Sequence, residues 1–198
     1  MKHYELQWVW RGKGKVTTNS RDDQQRVDDL VNRNFTAHHP NQPWVADFTY
    51  TKTISGWVYT AFIIDVFACV IVGWKVSNFM NTDMVTTALN QAIADRNKHK
   101  DVIYHSDRGG QYLSIRYTDK MAASSVIASV STTGDPYDNA LAKTVNGLYK
   151  SEVIHYLKQS WTGVNDVELA MLEWVDGFNK TRLVVCHLLY LKSSIMII

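Results

Sequence analysis

The sequence predicts an α/β fold in which helices flank a mixed five-stranded sheet. Two observations carry this prediction. Between residues 43 and 77, three segments rich in aromatic and β-branched residues follow one another with short connections, which is typical of an antiparallel meander. From residue 82 onward, helical and strand patterns alternate, which adds further strands to the sheet and places helices on its faces.

Each element is predicted from its own pattern. The three hairpin-linked strands are expected at 44–53, 57–68 and 70–77, with Gly56 interrupting the first two. Thr82 is the expected N-cap of the first helix, because apolar residues recur at helical spacing after it. The remaining elements are a helix at 82–97, a strand at 102–106, a helix at 114–124, a strand at 126–130, a loop at 132–136, and helices at about 138–156 and 164–178.

The bulk composition indicates a soluble globular protein. The 198 residues carry a formal net charge of +2, and 45% of them are hydrophobic, which excludes disorder across the whole chain. Two cysteines, Cys69 and Cys186, make neither a disulfide framework nor a zinc-ligand set and favour a reducing cytosol. No secretory signal is visible, and the apolar stretch from Leu183 to Ile198 is too short for a membrane helix.

Three regions are expected along the chain. Residues 1–43 form a basic and polar arm or linker, in which Lys13 and Lys15 lie between glycines; either a solvated linker or an arm along DNA phosphates fits. Residues 44–182 form the core. Residues 183–198 form a divergent apolar tail, which either follows a frameshift or packs as a terminal strand on the sheet edge.

Two aspartates are the main candidates for chemistry. Asp47 lies in an otherwise hydrophobic strand, where a buried acid is costly unless it is paired or binds metal; on an alternating strand it could instead face solvent. Asp107 ends a strand before two glycines, a position suited to a ligand group and equally to an ordinary turn. A zinc site using His105 has no second ligand at the right spacing. Asp138 or Asn139 is a plausible helix N-cap.

Several motifs in one order carry a specific resemblance. The chain is similar, from about residue 29 to 182, to the integrase-like core of bacterial insertion-sequence transposases, namely the IS-three family of the retroviral integrase superfamily. The motifs are Trp44-Val45-Ala46-Asp47-Phe48-Thr49-Tyr50, Val58-Tyr59-Thr60-Ala61-Phe62-Ile63-Ile64-Asp65, Ile71-Val72-Gly73-Trp74, His105-Ser106-Asp107-Arg108-Gly109-Gly110-Gln111-Tyr112 and Tyr137-Asp138-Asn139-Ala140.

The resemblance implies a ribonuclease-H-like sheet and a metal-binding triad of two aspartates and a glutamate. Asp47 and Asp107 match the two aspartates and would bind Mg²⁺ or Mn²⁺. The family's spacing places the glutamate at position 143, where this chain has Lys143. It also implies element ends and target DNA as partners, a homo-oligomer or an intact transposase as a further partner, and a bacterial, nucleoid-associated location in the cytoplasm.

The lysine should weaken metal binding. An ammonium has no lone pair for Mg²⁺ and carries the wrong sign. Glu152 cannot substitute, because nine residues turn it to the opposite side of an α-helix from Lys143. The helix face expected toward the metal is basic and polar, which suits it to DNA phosphates. The candidate DNA-binding residues are Arg108, Asn139, Asn146, Lys150, Lys13 and Lys15.

The sequence therefore predicts the catalytic core of a DNA transposase that is truncated and inactive. The upstream helical DNA-binding region that the family carries is not included in this chain. Two alternatives remain open: a non-catalytic remnant that binds DNA or interacts with intact transposase, and a ribonuclease-H-type nuclease using the remaining aspartates. The second ranks low, because the matching motifs are those of transposases.

Overall fold

A computed structural model describes residues 28–31, 35–96, 101–107, 115–131, 139–156 and 160–181. The elements in these ranges follow the predicted order of strands and helices. They are β1 (Pro43–Thr53), β2 (Gly56–Asp65), β3 (Val70–Ser77), α1 (Thr82–Asp95), β4 (Val102–Ser106), α2 (Ile115–Ala123), β5 (Val126–Val130), α3 (Ala140–Tyr149), a π-helix (Lys150–His155) and α4 (Val164–Thr181).

The five strands form one mixed sheet in the order β3-β2-β1-β4-β5. β1, β2 and β3 are antiparallel neighbours, whereas β4 runs parallel to β1 and β5 runs parallel to β4. The meander and the later parallel strands are those that the sequence predicts, so the α/β fold with a mixed five-stranded sheet is confirmed.

Two hydrophobic cores cover the two faces of the sheet. One contains Trp44 and Tyr104 from the strands and is closed by α1, where Leu89 is fully buried, and by α2. The other contains Val45 and Phe62 and is closed by α3 and α4. Successive residues of β1 thus enter opposite cores, as the two-residue period of a strand requires.

The predicted end of β2 and the predicted cap of α1 are wrong. β2 ends at Asp65 and not at residue 68, because the Asp65 carboxylate accepts hydrogen bonds from the backbone N–H groups of Phe67 (3.0 Å) and Ala68 (3.3 Å) and so turns the chain. The N-cap of α1 is Asn81, whose side-chain oxygen accepts from the backbone N–H of Met84 at 3.1 Å. Thr82 is the first helical residue.

The predicted single helix from about 138 to 156 is also wrong in its second half. α3 ends at Tyr149, and the chain continues as a π-helix over Lys150–His155. A π-helix is wider than an α-helix and changes the direction in which later side chains point. The final helix is longer than expected and ends at Thr181.

The described part of the N-terminal arm lies against the edge of the sheet. The backbone N–H of Leu30 donates to Ser129 Oγ at 3.0 Å, and the N–H of Val130 donates to the carbonyl of Asp28 at 3.4 Å. Residues 1–27, the predicted loop 132–136 and the tail 183–198 lie outside the described residues. Among the helices that are described, none has the length and apolar character to cross a membrane.

Candidate active site at the carboxyl end of β4

The parallel pairing of β1 and β4 sets the two candidate aspartates beside each other. Ala46 is paired with Ser106 at the end of this register, so Asp47 and Asp107 are the next residues on the two chains. Neighbouring strands are about 4.8 Å apart, which brings the two carboxylates to one site, at the carboxyl end of β4 and beside the middle of β1. Their charges interact, since Asp107 contributes to the raised pKa of Asp47.

Asp47 is held by two hydrogen bonds in a poorly hydrated position. Its Oδ1 accepts from the backbone N–H of Phe48 at 2.8 Å, and its Oδ2 accepts from Asn146 Nδ2 at 2.8 Å. Burial, and after it the negative charge of Asp107, raises the pKa of Asp47 to about 6. The Phe48 hydrogen bond, the positive charge of Lys143 and the Asn146 hydrogen bond oppose this rise but do not cancel it.

Asp107 contacts one hydroxyl and one ammonium. Ser131 Oγ donates to Asp107 Oδ1 at 3.3 Å, and Lys143 Nζ lies 3.8 Å from Asp107 Oδ2. Ser131 was not singled out from the sequence, although a signal existed: it follows β5 just as Asp107 follows β4, and these strands pair in register up to Ser106 and Val130. The side chains of Lys143 and Asp107 are 38% and 36% exposed, so solvent screens this pair.

Helix α3 delivers Lys143 and Asn146 to the aspartates. Ala142, Val145 and Tyr149 bury one stripe of α3 in the core against β1 and β2, and this packing fixes the rotation of the helix. Lys143 and Asn146, three residues apart, border that stripe and reach the aspartates.

Asn139 lies at the N-cap position of α3, but its side chain makes no capping hydrogen bond. It is fully buried, and its Nδ2 donates to the carbonyl of Ala46 at 2.8 Å. The predicted N-cap position is therefore confirmed at Asn139, although its side chain does not cap the helix. Asn139 instead ties the start of α3 to β1 immediately before Asp47.

Two residues farther along the chain, Glu152 and Lys150, have partners other than the aspartates. Glu152 Oε2 accepts from Trp174 Nε1 on α4 at 2.9 Å, so this carboxylate lies on the side expected for it. Lys150 Nζ lies 4.9 Å from the centre of the Tyr50 ring. Lys150, named from the sequence as a DNA-binding candidate, thus contacts β1 beyond Asp47.

Other candidates lie elsewhere. His105 is 1% exposed, its Nδ1 is 2.9 Å from Ser129 Oγ, and it packs edge-on against Phe35, so it is a packed side chain. Arg108, Lys13 and Lys15 lie outside the described residues. Sequence reasoning did not single out Tyr50 and Trp57, because aromatic residues in strands were expected to be core residues; both are about half exposed.

The donor set at this site does not fit a two-metal centre. Mg²⁺ prefers several anionic oxygens. Here the third position carries the Lys143 ammonium, which faces one carboxylate, and an Asn146 N–H occupies an oxygen of the other. Within the described ranges, no three His, Cys, Asp or Glu side chains lie close enough together to hold a metal ion.

Comparisons with known proteins agree with this fold. Residues 37–136 match the integrase core domain family. The chain belongs to this family. The integrase core is 51% identical over 178 residues to the transposase for insertion sequence element IS629 of Shigella sonnei, covering 90% of this chain and 59% of that protein. It is 47% identical over 183 residues to a putative transposase for IS986/IS6110 of Mycobacterium tuberculosis, covering 90% and 66%.

These matches confirm the resemblance to insertion-sequence transposases, and this integrase core spans about three fifths to two thirds of the relatives' length. A solved structure, the HTLV-2 integrase catalytic core domain in complex with magnesium, is similar with a TM-score of 0.57 and 18% identity. That match covers 72% of this chain and 89% of that one. The likeness shows the fold, which is the expected ribonuclease-H-like sheet.

Proposed function

We propose that this integrase core is a transposase catalytic core that binds DNA but has lost metal-dependent strand transfer. The observation that carries the proposal is the Lys143 ammonium 3.8 Å from Asp107, beside the two aspartates that the motif resemblance matches to the family's acidic ligands. Two further features support the proposal: β1 and β4 pair in parallel beside the aspartates, and helix α3 brings Lys143 and Asn146 to them.

We expect catalysis to fail because the third metal ligand is missing. Phosphoryl transfer on DNA needs two divalent ions, one to activate the attacking oxygen and one to stabilise the leaving oxygen. A cation in place of an anionic ligand repels those ions and supplies no oxygen. At about 4 Å near a protein surface, one unit-charge interaction is worth on the order of 4 kcal/mol, before solvent screening reduces it. A penalty of about 4 kcal/mol corresponds to a rate lower by about three powers of ten, screening makes it smaller, and the missing oxygen ligand adds to the loss.

The decisive experiment is a metal titration of Lys143→Glu. This variant restores the third carboxylate, so it should be less stable than the wild type without metal, and Mg²⁺ should raise its melting temperature. If Mg²⁺ is present at tenfold its dissociation constant, the gain is about 1.4 kcal/mol, or several degrees. Differential scanning fluorimetry with and without Mg²⁺ measures it. Lys143→Gln, which removes the charge and adds no carboxylate, is the matched control and should respond weakly.

Strand transfer provides the functional readout. The wild-type chain should show no Mg²⁺- or Mn²⁺-dependent nicking or joining of oligonucleotides bearing element ends, and Lys143→Glu is the change expected to restore some. Robust activity of the wild-type chain would refute the proposal.

A non-catalytic role is the second candidate, and it is supported by two basic residues, Lys143 and Lys150, which lie about two turns apart on one side of α3 and its C-terminal end. A chain that binds DNA or joins an assembly with intact transposase without reacting would inhibit transposition. Its DNA binding should weaken steeply as salt rises. Coexpression with an intact copy tests it: the alternative requires lower transposition frequency, and an unchanged frequency counts against it.

A further inference from the structure

An aromatic pair projects from the sheet close to the candidate active site. Tyr50 on β1 and Trp57 on β2 are 54% and 51% exposed. Their rings are 5.3 Å apart at an angle of 83°, which is an edge-to-face arrangement. The register pairs Tyr50 with Tyr59 and Lys52 with Trp57, so Tyr50 and Trp57 are diagonal neighbours. Large aromatic surfaces are seldom left open to water without a partner.

The aromatic pair is bordered by positive charge. Lys150 Nζ lies 4.9 Å from the centre of the Tyr50 ring, and the exposed Lys52 is the strand partner of Trp57. Aromatic faces beside cations match the two chemical parts of a nucleic-acid strand, because bases stack on rings and phosphates attract ammonium groups. An acidic or purely apolar partner would use only one of these two features.

The position of the aromatic pair connects it to the aspartates. Tyr50 lies three residues beyond Asp47 on β1, which is about 10 Å along the strand. In the described part of the chain, the pairing of β1 with β4 ends at Ala46, so β1 has an open edge from Asp47 onward. Asp47 and Tyr50 are an odd number of residues apart, so their side chains point to opposite faces of the sheet. Lys150, which comes from α3 on the face of Asp47, nevertheless reaches the Tyr50 ring. A strand of DNA that lies at the aspartates can likewise pass over this open edge to Tyr50 and Trp57.

We propose that Tyr50 and Trp57, with Lys150 and Lys52, form a binding surface for unpaired nucleotides of the DNA substrate. Only unpaired nucleotides fit, because the faces of bases within a duplex are covered by their neighbours. Bases stack on the exposed rings while the two lysines neutralise phosphates. The inference rests on the proposed function, since it takes DNA as the partner, and it adds which part of the DNA lies here.

The test compares three fluorescent oligonucleotides by anisotropy with the full chain at low salt. They are a thymidine strand of about 12 nucleotides, an abasic strand of the same length, and a duplex. Trp57→Ala and Tyr50→Ala should each weaken binding of the thymidine strand about 5- to 50-fold and leave the abasic strand unaffected. Trp57→Phe should keep most of the affinity. Phe79→Ala, at a ring that is 71% exposed after β3, is the matched control and should change nothing.

Lys150→Ala tests the contribution of the lysine charge to DNA binding separately from that of base stacking. It should weaken binding of the thymidine and the abasic strand alike. It should also lower the slope of log affinity against log salt concentration by about the amount that one phosphate contact contributes.

Three results would overturn the inference while leaving the proposed function intact. They are unchanged thymidine-strand binding in the alanine variants, an equal loss for the abasic strand, or conversion of an oligomer to a monomer by Trp57→Ala, which would identify a protein interface. Absence of binding to all three DNAs would overturn the proposed function as well.

Discussion

At the residue scale, the site is defined by how three charged side chains share a small volume. Asp47 and Asp107 repel each other, and burial adds to the cost of ionising Asp47. Lys143 offsets part of this cost, because its ammonium attracts both carboxylates. The lysine thus supplies, from within the chain, some of the positive charge that a divalent cation supplies to such carboxylates when it is bound.

Asp47 makes the stability of the fold depend on pH. Its pKa in the folded chain is about 6 and its ordinary value is 3.8, so the folded state holds this proton more tightly than the unfolded state. The stabilisation that this proton gives the folded state is complete below about pH 4 and is lost as the pH rises through about 6. The free energy of unfolding falls by at most about 3 kcal/mol over this range. Urea unfolding at a series of pH values measures the loss.

Asp47→Asn should remove this pH dependence and be more stable than the wild type at neutral pH, by about 1–3 kcal/mol. Asn146 Oδ1 is buried and has no hydrogen-bond partner among the described residues, so rotation of the Asn146 amide would let it accept from the new side chain. Asp176→Asn removes an exposed carboxylate paired with Lys180 and serves as the control, which should retain the wild-type profile. If Asp47→Asn kept the wild-type dependence of stability on pH, that dependence could not come from Asp47.

At the scale of elements, α1 packs against β3 only because Gly73 has no side chain. A Cβ at Gly73 would lie well inside contact distance of the Ala88 carbonyl oxygen and against Ala92 on α1. The close approach places Leu89 in the core and lets Gln91 Oε1 accept from the backbone N–H of Trp74 at 2.9 Å. The glycine therefore sets the distance between this helix and the sheet.

Gly73→Ala should destabilise the chain by about 3 kcal/mol, because the helix or the strand must move to admit the methyl group. Gly147→Ala is the matched control: no atom lies within 4 Å of a Cβ there, and alanine is the better helix former by about 1 kcal/mol. Chemical denaturation of both variants measures the contrast. Equal stability of the two would mean that α1 adjusts without cost.

At the scale of the whole molecule, one sheet carries two cores that do not share side chains. Val85 on α1 belongs to one core and Val167 on α4 to the other, and both are buried. The sheet joins the cores, so they should unfold in a single transition even though their local packing is separate.

The double variant Val85→Ala/Val167→Ala tests this arrangement. Each single substitution should cost about 2 kcal/mol, and the double variant should cost their sum to within about 0.5 kcal/mol, because the two sites share no contacts. Equilibrium unfolding followed by two probes gives the values. A coupling energy well above that limit, or two separate transitions, would show that the cores are not organised as described.

The sequence alone determined the order of the elements and the type of each one except the π-helix. β4 and β5 occupy the predicted residues, because short runs of apolar β-branched residues carry their own local signal. The candidate residues Asp47, Asp107 and Lys143 came from family motifs and their spacing.

Tertiary structure decided the features that depend on contacts between residues far apart in the sequence. The β1–β4 register puts Asp47 beside Asp107, the side chain of Asn139 bonds to Ala46 and does not cap its helix, and the packing of α3 brings Lys150, at its end, to Tyr50. Such partners are set by how strands and helices pack against one another, and the period of a local segment contains no information about its neighbour in space.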